Sequence, residues 1–96
     1  LDWKAMHGEY KTPGGKLVVV DFDLEHGRFA NVVVSGDFFL YPEEALESIS
    51  QALEQAPADS SEQELVQRLE AAIPAGTEMF GFSPEAVVTA VQRGLQ

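Results

Sequence analysis

The feature that most restricts this chain is a change of hydrophobic period near residue 41. Before it, apolar side chains alternate in steps of two, as on a half-buried strand; after it they recur every three to four residues, as on one face of a helix. Lys16 to Leu24 reads as a strand, with Val18, Val20, Phe22 and Leu24 on one face and Val19, Asp21 and Asp23 on the other. Glu25-His26-Gly27 is a tight turn, and Arg28 to Ser35 returns as a second, antiparallel strand. Gly36-Asp37 turns again, into a short third strand at Phe38-Phe39-Leu40. From Pro42 onward the pattern is helical. Pro42, Glu43 and Glu44 suit a first turn, and Leu46, Ile49 and Leu53 form the stripe behind it.

Pro57-Ala58-Asp59 ends that helix. A second, capped at Asp59, Ser60 or Ser61, buries Leu65, Val66, Leu69 and Ile73 and stops at Pro74-Ala75-Gly76. Ser83-Pro84-Glu85 opens a third, with Val87, Val88, Val91 and Leu95 inside and Gly94 weakening its last turn. Strands followed by helices predict an α+β domain: a three-stranded antiparallel meander with three helices packed on one face. The 96 residues are enough for one such domain. Residues 1–10 show no period and are expected to form a flexible arm or linker, with residues 11–96 as the folded unit and Met6 a fitting native start. Trp3 and Tyr10 in that arm either dock onto a partner or fold back on the domain's own sheet.

Composition removes several functions. The chain has no cysteine, hence no disulfide, thiolate metal site or thiol nucleophile, which fits a cytoplasmic setting. No apolar run approaches the roughly 20 residues of a membrane span, and Leu1 to Ala5 lacks the apolar stretch of a signal peptide. The net charge is −10, unevenly spread: residues 41–96 hold ten acids against Arg68 and Arg93. So acidic a half would repel a phosphate backbone, and nucleic-acid binding is not expected. Its acids are either a solvated helical surface or a face complementary to a basic protein.

The residues that could carry chemistry are few. His7 and His26 lack the spacing of a metal site or of a base oriented by a third group. Asp21, Asp23 and Glu25 alternate and so share one face, either as oxygen ligands for a hard cation or as the solvent side of an edge strand. Gly14-Gly15-Lys16 opens a strand and lacks the Ser or Thr of a phosphate loop, so it is no nucleotide fingerprint. Lys11 and Lys16, around Gly14 and Gly15, still present two cations to an anionic ligand or a partner. In Asp37-Phe38-Phe39, two adjacent phenylalanines cannot enter the same side of a strand. Either one is exposed as a contact or helix and sheet enclose both.

Two strings point to a family. Lys11-Thr12-Pro13-Gly14-Gly15-Lys16-Leu17-Val18, then Ser35-Gly36-Asp37-Phe38-Phe39-Leu40-Tyr41-Pro42-Glu43-Glu44-Ala45-Leu46, closely resemble the C-terminal domain of lipoate–protein ligases, which in some organisms is a separate small protein. Gly81-Phe82-Ser83-Pro84-Glu85 is similar to that family's closing segment. The resemblance implies an accessory subunit that promotes ATP-dependent formation of lipoyl-adenylate and has no catalytic residue of its own. It implies a catalytic partner holding lipoate, ATP and Mg, and through it the lipoyl-acceptor domains. It also implies a fold like the sulfur-acceptor and iron–sulfur scaffold proteins, whose cysteine chemistry this chain cannot perform. On it, Lys11, Gly14, Gly15 and Lys16 are the expected ligand- or partner-facing residues, and Asp37, Phe38 and Phe39 the expected interface. The competing reading is a freestanding acidic interaction module with no ligase partner.

Overall fold

The computed structural model describes residues 5–96. Three long strands, β1 (Ala5–Lys11), β2 (Leu17–Glu25) and β3 (Arg28–Gly36), form an antiparallel meander in the order β1-β2-β3. A two-residue ribbon step leads to β4 (Phe39–Tyr41), which pairs not with that sheet but with the distant β5 (Glu78–Phe80). Between them run α1 (Ala45–Leu53) and α2 (Glu62–Ala72), and the chain closes with α3 (Pro84–Leu95). Helix α3 lies across β1 and β2, α1 lies against β3, and α2 packs on both helices. The α+β class is as the sequence predicts. Among the described residues, no helix is long and apolar enough to cross a membrane.

The core forms where the two periods meet. Val18, Val20 and Phe22 of β2, with Phe29, Val32 and Val34 of β3, face Ile49 and Leu53, Leu65 and Leu69, and Val87, Val88 and Val91, all buried. Phe22 and Phe29 meet edge to face at 5.1 Å between centroids. The other face of the sheet is open, as one-sided antiparallel sheets allow. It carries exposed His7, Glu9, Lys11 and Val33.

The expectation of an arm at residues 1–10 is corrected from Ala5 onward, and so is the make-up of the meander. Residues 5–11 are its first strand, paired from Ala5↔Asp23 to Lys11↔Leu17, while Phe38-Phe39-Leu40 contributes to the separate ribbon. Trp3 lies outside the described residues; Tyr10 folds back, with the Arg93 guanidinium 5.0 Å over its ring.

Why β1 has no apolar period is a matter of space. A Cβ on Gly8 would fall 1.7 Å from the Ala90 carbonyl oxygen, so the strand backbone lies directly against α3. Gly94 belongs to the same contact: a Cβ there would meet a Phe22 ring carbon at 2.9 Å and the Gly8 nitrogen at 3.2 Å. That explains a glycine whose only visible effect in the sequence is to weaken a helix end.

The row of carboxylates on β2 is also corrected. Asp21 faces Val33 but Asp23 faces Ala30, so Asn31 and Val32 together oppose Phe22 in a bulge, with Asn31 at φ 53°. Asp23 is buried and accepts a 3.0 Å hydrogen bond from Asn31 Nδ2. The Glu54 carboxylate then accepts from Asn31 N at 3.1 Å and Val32 N at 2.6 Å, occupying donors on the outer edge of β3.

Helix caps follow the sequence at two starts of three. Ser61 and Glu64 form a reciprocal capping box, and the Ser61 backbone N–H followed by its hydroxyl holds the Glu64 carboxyl below its usual range. Ser83 accepts from Ala86 N at 3.1 Å, with Pro84 in the first turn. Helix α1 begins at Ala45 and not at Pro42. Residues 42–44 form tight turns closed by Ala45 N, Leu46 N and Glu47 N onto Pro42, Glu43 and Glu44 carbonyls.

Candidate functional site

One end of the sheet gathers the three family-like strings. The turn between β1 and β2 is pinned by Thr12 N donating to the Lys16 carbonyl at 2.7 Å and Gly15 N to the Thr12 carbonyl at 2.9 Å. Gly14 and Gly15 take positive φ at its tip, and Lys11 and Lys16 are exposed on either side. Among the described residues, neither lysine is ion-paired with a carboxylate.

The second string is tied in where Asp37 N donates to the Leu17 carbonyl at 2.9 Å. The third arrives through Gly81. A Cβ on Gly81 would fall 2.2 Å from Lys16 Cγ, so the aliphatic stem of Lys16 lies directly on the chain between β5 and α3. Gly81 also sits at φ 72°, a conformation few other residues adopt.

The paired phenylalanines divide their work. Phe38 is half-buried and stacks on Phe82, centroids 4.5 Å apart and planes 34° apart. Phe39 points the other way and is 62% exposed, beside Phe80 at 6.3 Å. An open groove of about 470 Å³ runs between the pair and α1, lined by Ser35, Phe38, Phe39, Glu43 and Leu46. A smaller one, about 220 Å³, lies beside the lysine turn between Thr12, Pro13, Gly81 and Ser83. Lys11, Gly14, Gly15 and Lys16 thus lie at the same end as Asp37, Phe38 and Phe39. Sequence reasoning did not place Phe80 there, because a three-residue strand has no readable period.

His7 belongs elsewhere, on the open face of the sheet. Its Nδ1 is 2.5 Å from Asp21 Oδ1 and its Nε2 2.6 Å from Glu9 Oε2. A protonated ring satisfies both carboxylates, so hydrogen bonding to Glu9, then Asp21, raises its pKa above 6.5. With both nitrogens occupied, the ring is an electrostatic clasp between β1 and β2. Among the described residues, no group of three or more His, Asp or Glu is placed to hold a metal ion.

No family model matches this chain, and no curated protein does. A solved structure does, one described as an archaeal lipoylation system from Thermoplasma acidophilum: a bipartite lipoate protein ligase and its E2 lipoyl domain. The match has a TM-score of 0.66 and covers 94% of each chain, at 23% identity. At that identity the likeness is one of fold. This chain shares the fold of that protein over nearly its whole described length.

Proposed function

We propose that this chain is the accessory part of a two-part lipoate–protein ligase, promoting lipoyl-adenylate formation by a separate catalytic subunit. One observation carries the reading: a fold match covering 94% of both chains, to a protein from a bipartite ligase system. The meeting of all three family-like strings at one end of the sheet supports it, since a helper needs a contact surface and not a catalytic group. Lipoate, ATP and Mg would bind on the catalytic subunit, in the cytoplasm, and the lipoyl-acceptor domain would be met through that subunit.

The chemistry of such a helper is positional. A small domain closing against the catalytic subunit excludes water and holds mobile loops in productive geometry. The Lys11–Lys16 turn suits that task, because two cations flank a glycine tip that lets backbone approach closely. Lys16 is the better anchored of the two, its stem fixed on Gly81 while its ammonium has no carboxylate partner among the described residues.

The test is lipoyl-adenylate formation by the catalytic subunit, from ATP and lipoate, with and without this chain. Adenylation that rises only in its presence is the expected result. Lys16→Ala should then lower the stimulated rate roughly tenfold, the size of one charge-assisted hydrogen bond of about 1.5 kcal/mol. No stimulation and no complex would end the accessory reading in favour of an acidic interaction module using the exposed carboxylates of α1 and α2. An unchanged rate for Lys16→Ala, with stimulation intact, would remove only the lysine's role.

A further inference from the structure

The ribbon formed by β4 and β5 carries large apolar side chains on both of its sides. Leu40 and Met79, directly opposite one another, face the core. The other side carries Phe39 opposite Phe80 and Tyr41 opposite Glu78. Phe39 and Tyr41 are each 62% exposed and Phe80 is 56% exposed. Among the described residues only Val33, on the open face of the other sheet, is a further large apolar side chain so exposed. Three aromatics exposed to this degree present roughly 300 Å² to water, given 150–250 Å² per ring. They come from strands nearly 40 positions apart in sequence, so no local run of apolar residues accounts for the patch.

We propose that this aromatic face is the docking surface for the catalytic subunit of the ligase, an inference that rests on the accessory reading above. Charge says what that subunit must present. Glu78 lies on the aromatic face opposite Tyr41, and Glu43 shares a groove with Phe39; Lys16, packed on Gly81, marks the Phe80 end. The complementary surface is an apolar strip with a basic side chain facing Glu78 and an acidic group facing Lys16. Such polarity gives the contact one orientation, the one that brings the Lys11–Lys16 turn onto the partner with the ribbon. The patch is smaller than the roughly 800 Å² per partner of a stable interface, so the rings supply its centre and the lysine turn and groove its rim.

The experiment titrates the full chain against the catalytic subunit by calorimetry and follows adenylation in parallel. The double variant Phe39→Ala/Phe80→Ala should weaken binding at least about 30-fold, as loss of central aromatic anchors does. Glu78→Lys, which leaves the rings in place, should also weaken it and flatten its salt dependence, while Val33→Ser on the other sheet should bind as wild type. Far-ultraviolet circular dichroism confirms that the variants fold. Wild-type affinity in both ribbon variants, with adenylation still stimulated, overturns the docking surface and leaves the accessory reading standing. Self-association of the isolated chain through these rings, with binding to the catalytic subunit untouched, overturns it in favour of a second copy. Absence of wild-type binding and stimulation overturns both.

Discussion

The two sheets of this molecule are built on opposite principles. The β1–β3 meander spends its inner face on the core so completely that at Gly8 not even a methyl group fits beneath α3. The β4–β5 ribbon has three residues per strand, too few to stand alone, and turns its largest side chains to water. What separates them is the purpose of the apolar atoms. In the meander they are consumed by folding, and in the ribbon they are left over after it. Substitutions should therefore move stability in the first and recognition in the second.

The largest effect should come from Gly8→Ala. Its Cβ would overlap a backbone oxygen that no rotamer change can move, so the variant should lose about 3 kcal/mol or more in urea unfolding. An unchanged midpoint would mean that α3 stands farther from β1 than described.

A smaller effect should come from His7→Asn, and it should depend on pH. The folded state raises the pKa of His7 above 6.5, so its contribution is complete below that value and disappears as pH rises through the folded value. The gap in melting temperature between wild type and variant should accordingly be widest in mild acid and close toward alkaline pH. A gap that widened with pH would show that the imidazolium is not what joins β1 to β2. The smallest effect should come from Phe80→Ser, within about 0.5 kcal/mol of wild type, as for surface positions outside the core. A large loss there would make the ribbon a structural element after all, and the contrast between the sheets would collapse.

The same contrast governs what could be read from the sequence. The β2–β3 hairpin was legible because Val18, Val20 and Phe22 alternate, and α2 and α3 because Ser61 with Glu64 and Ser83 with Pro84 are local signals. Strand β1 was not, because its central inward position, between Met6 and Tyr10, is a glycine chosen by a helix more than 80 residues away. The burial of Asp23 was not legible because the bulge that brings the Asn31 amide onto its carboxylate sits on the neighbouring strand. At the candidate site, the lysine turn and the Phe38-Phe39 string were visible, but their companions Phe80 and Gly81 join them only through pairing of β5 with β4.

The contact of Gly8 with Ala90 and Gly94 also orders events in time. Strand β1 and helix α3 cover each other across some 80 residues, so the inner face of the sheet cannot be roofed during synthesis until α3 has been made. Until then β1 has β2 beside it but no roof, and the inner face of the hairpin stays wet. Closing the core is thus a late act, with a rate set by how quickly two segments so far apart in sequence find one another.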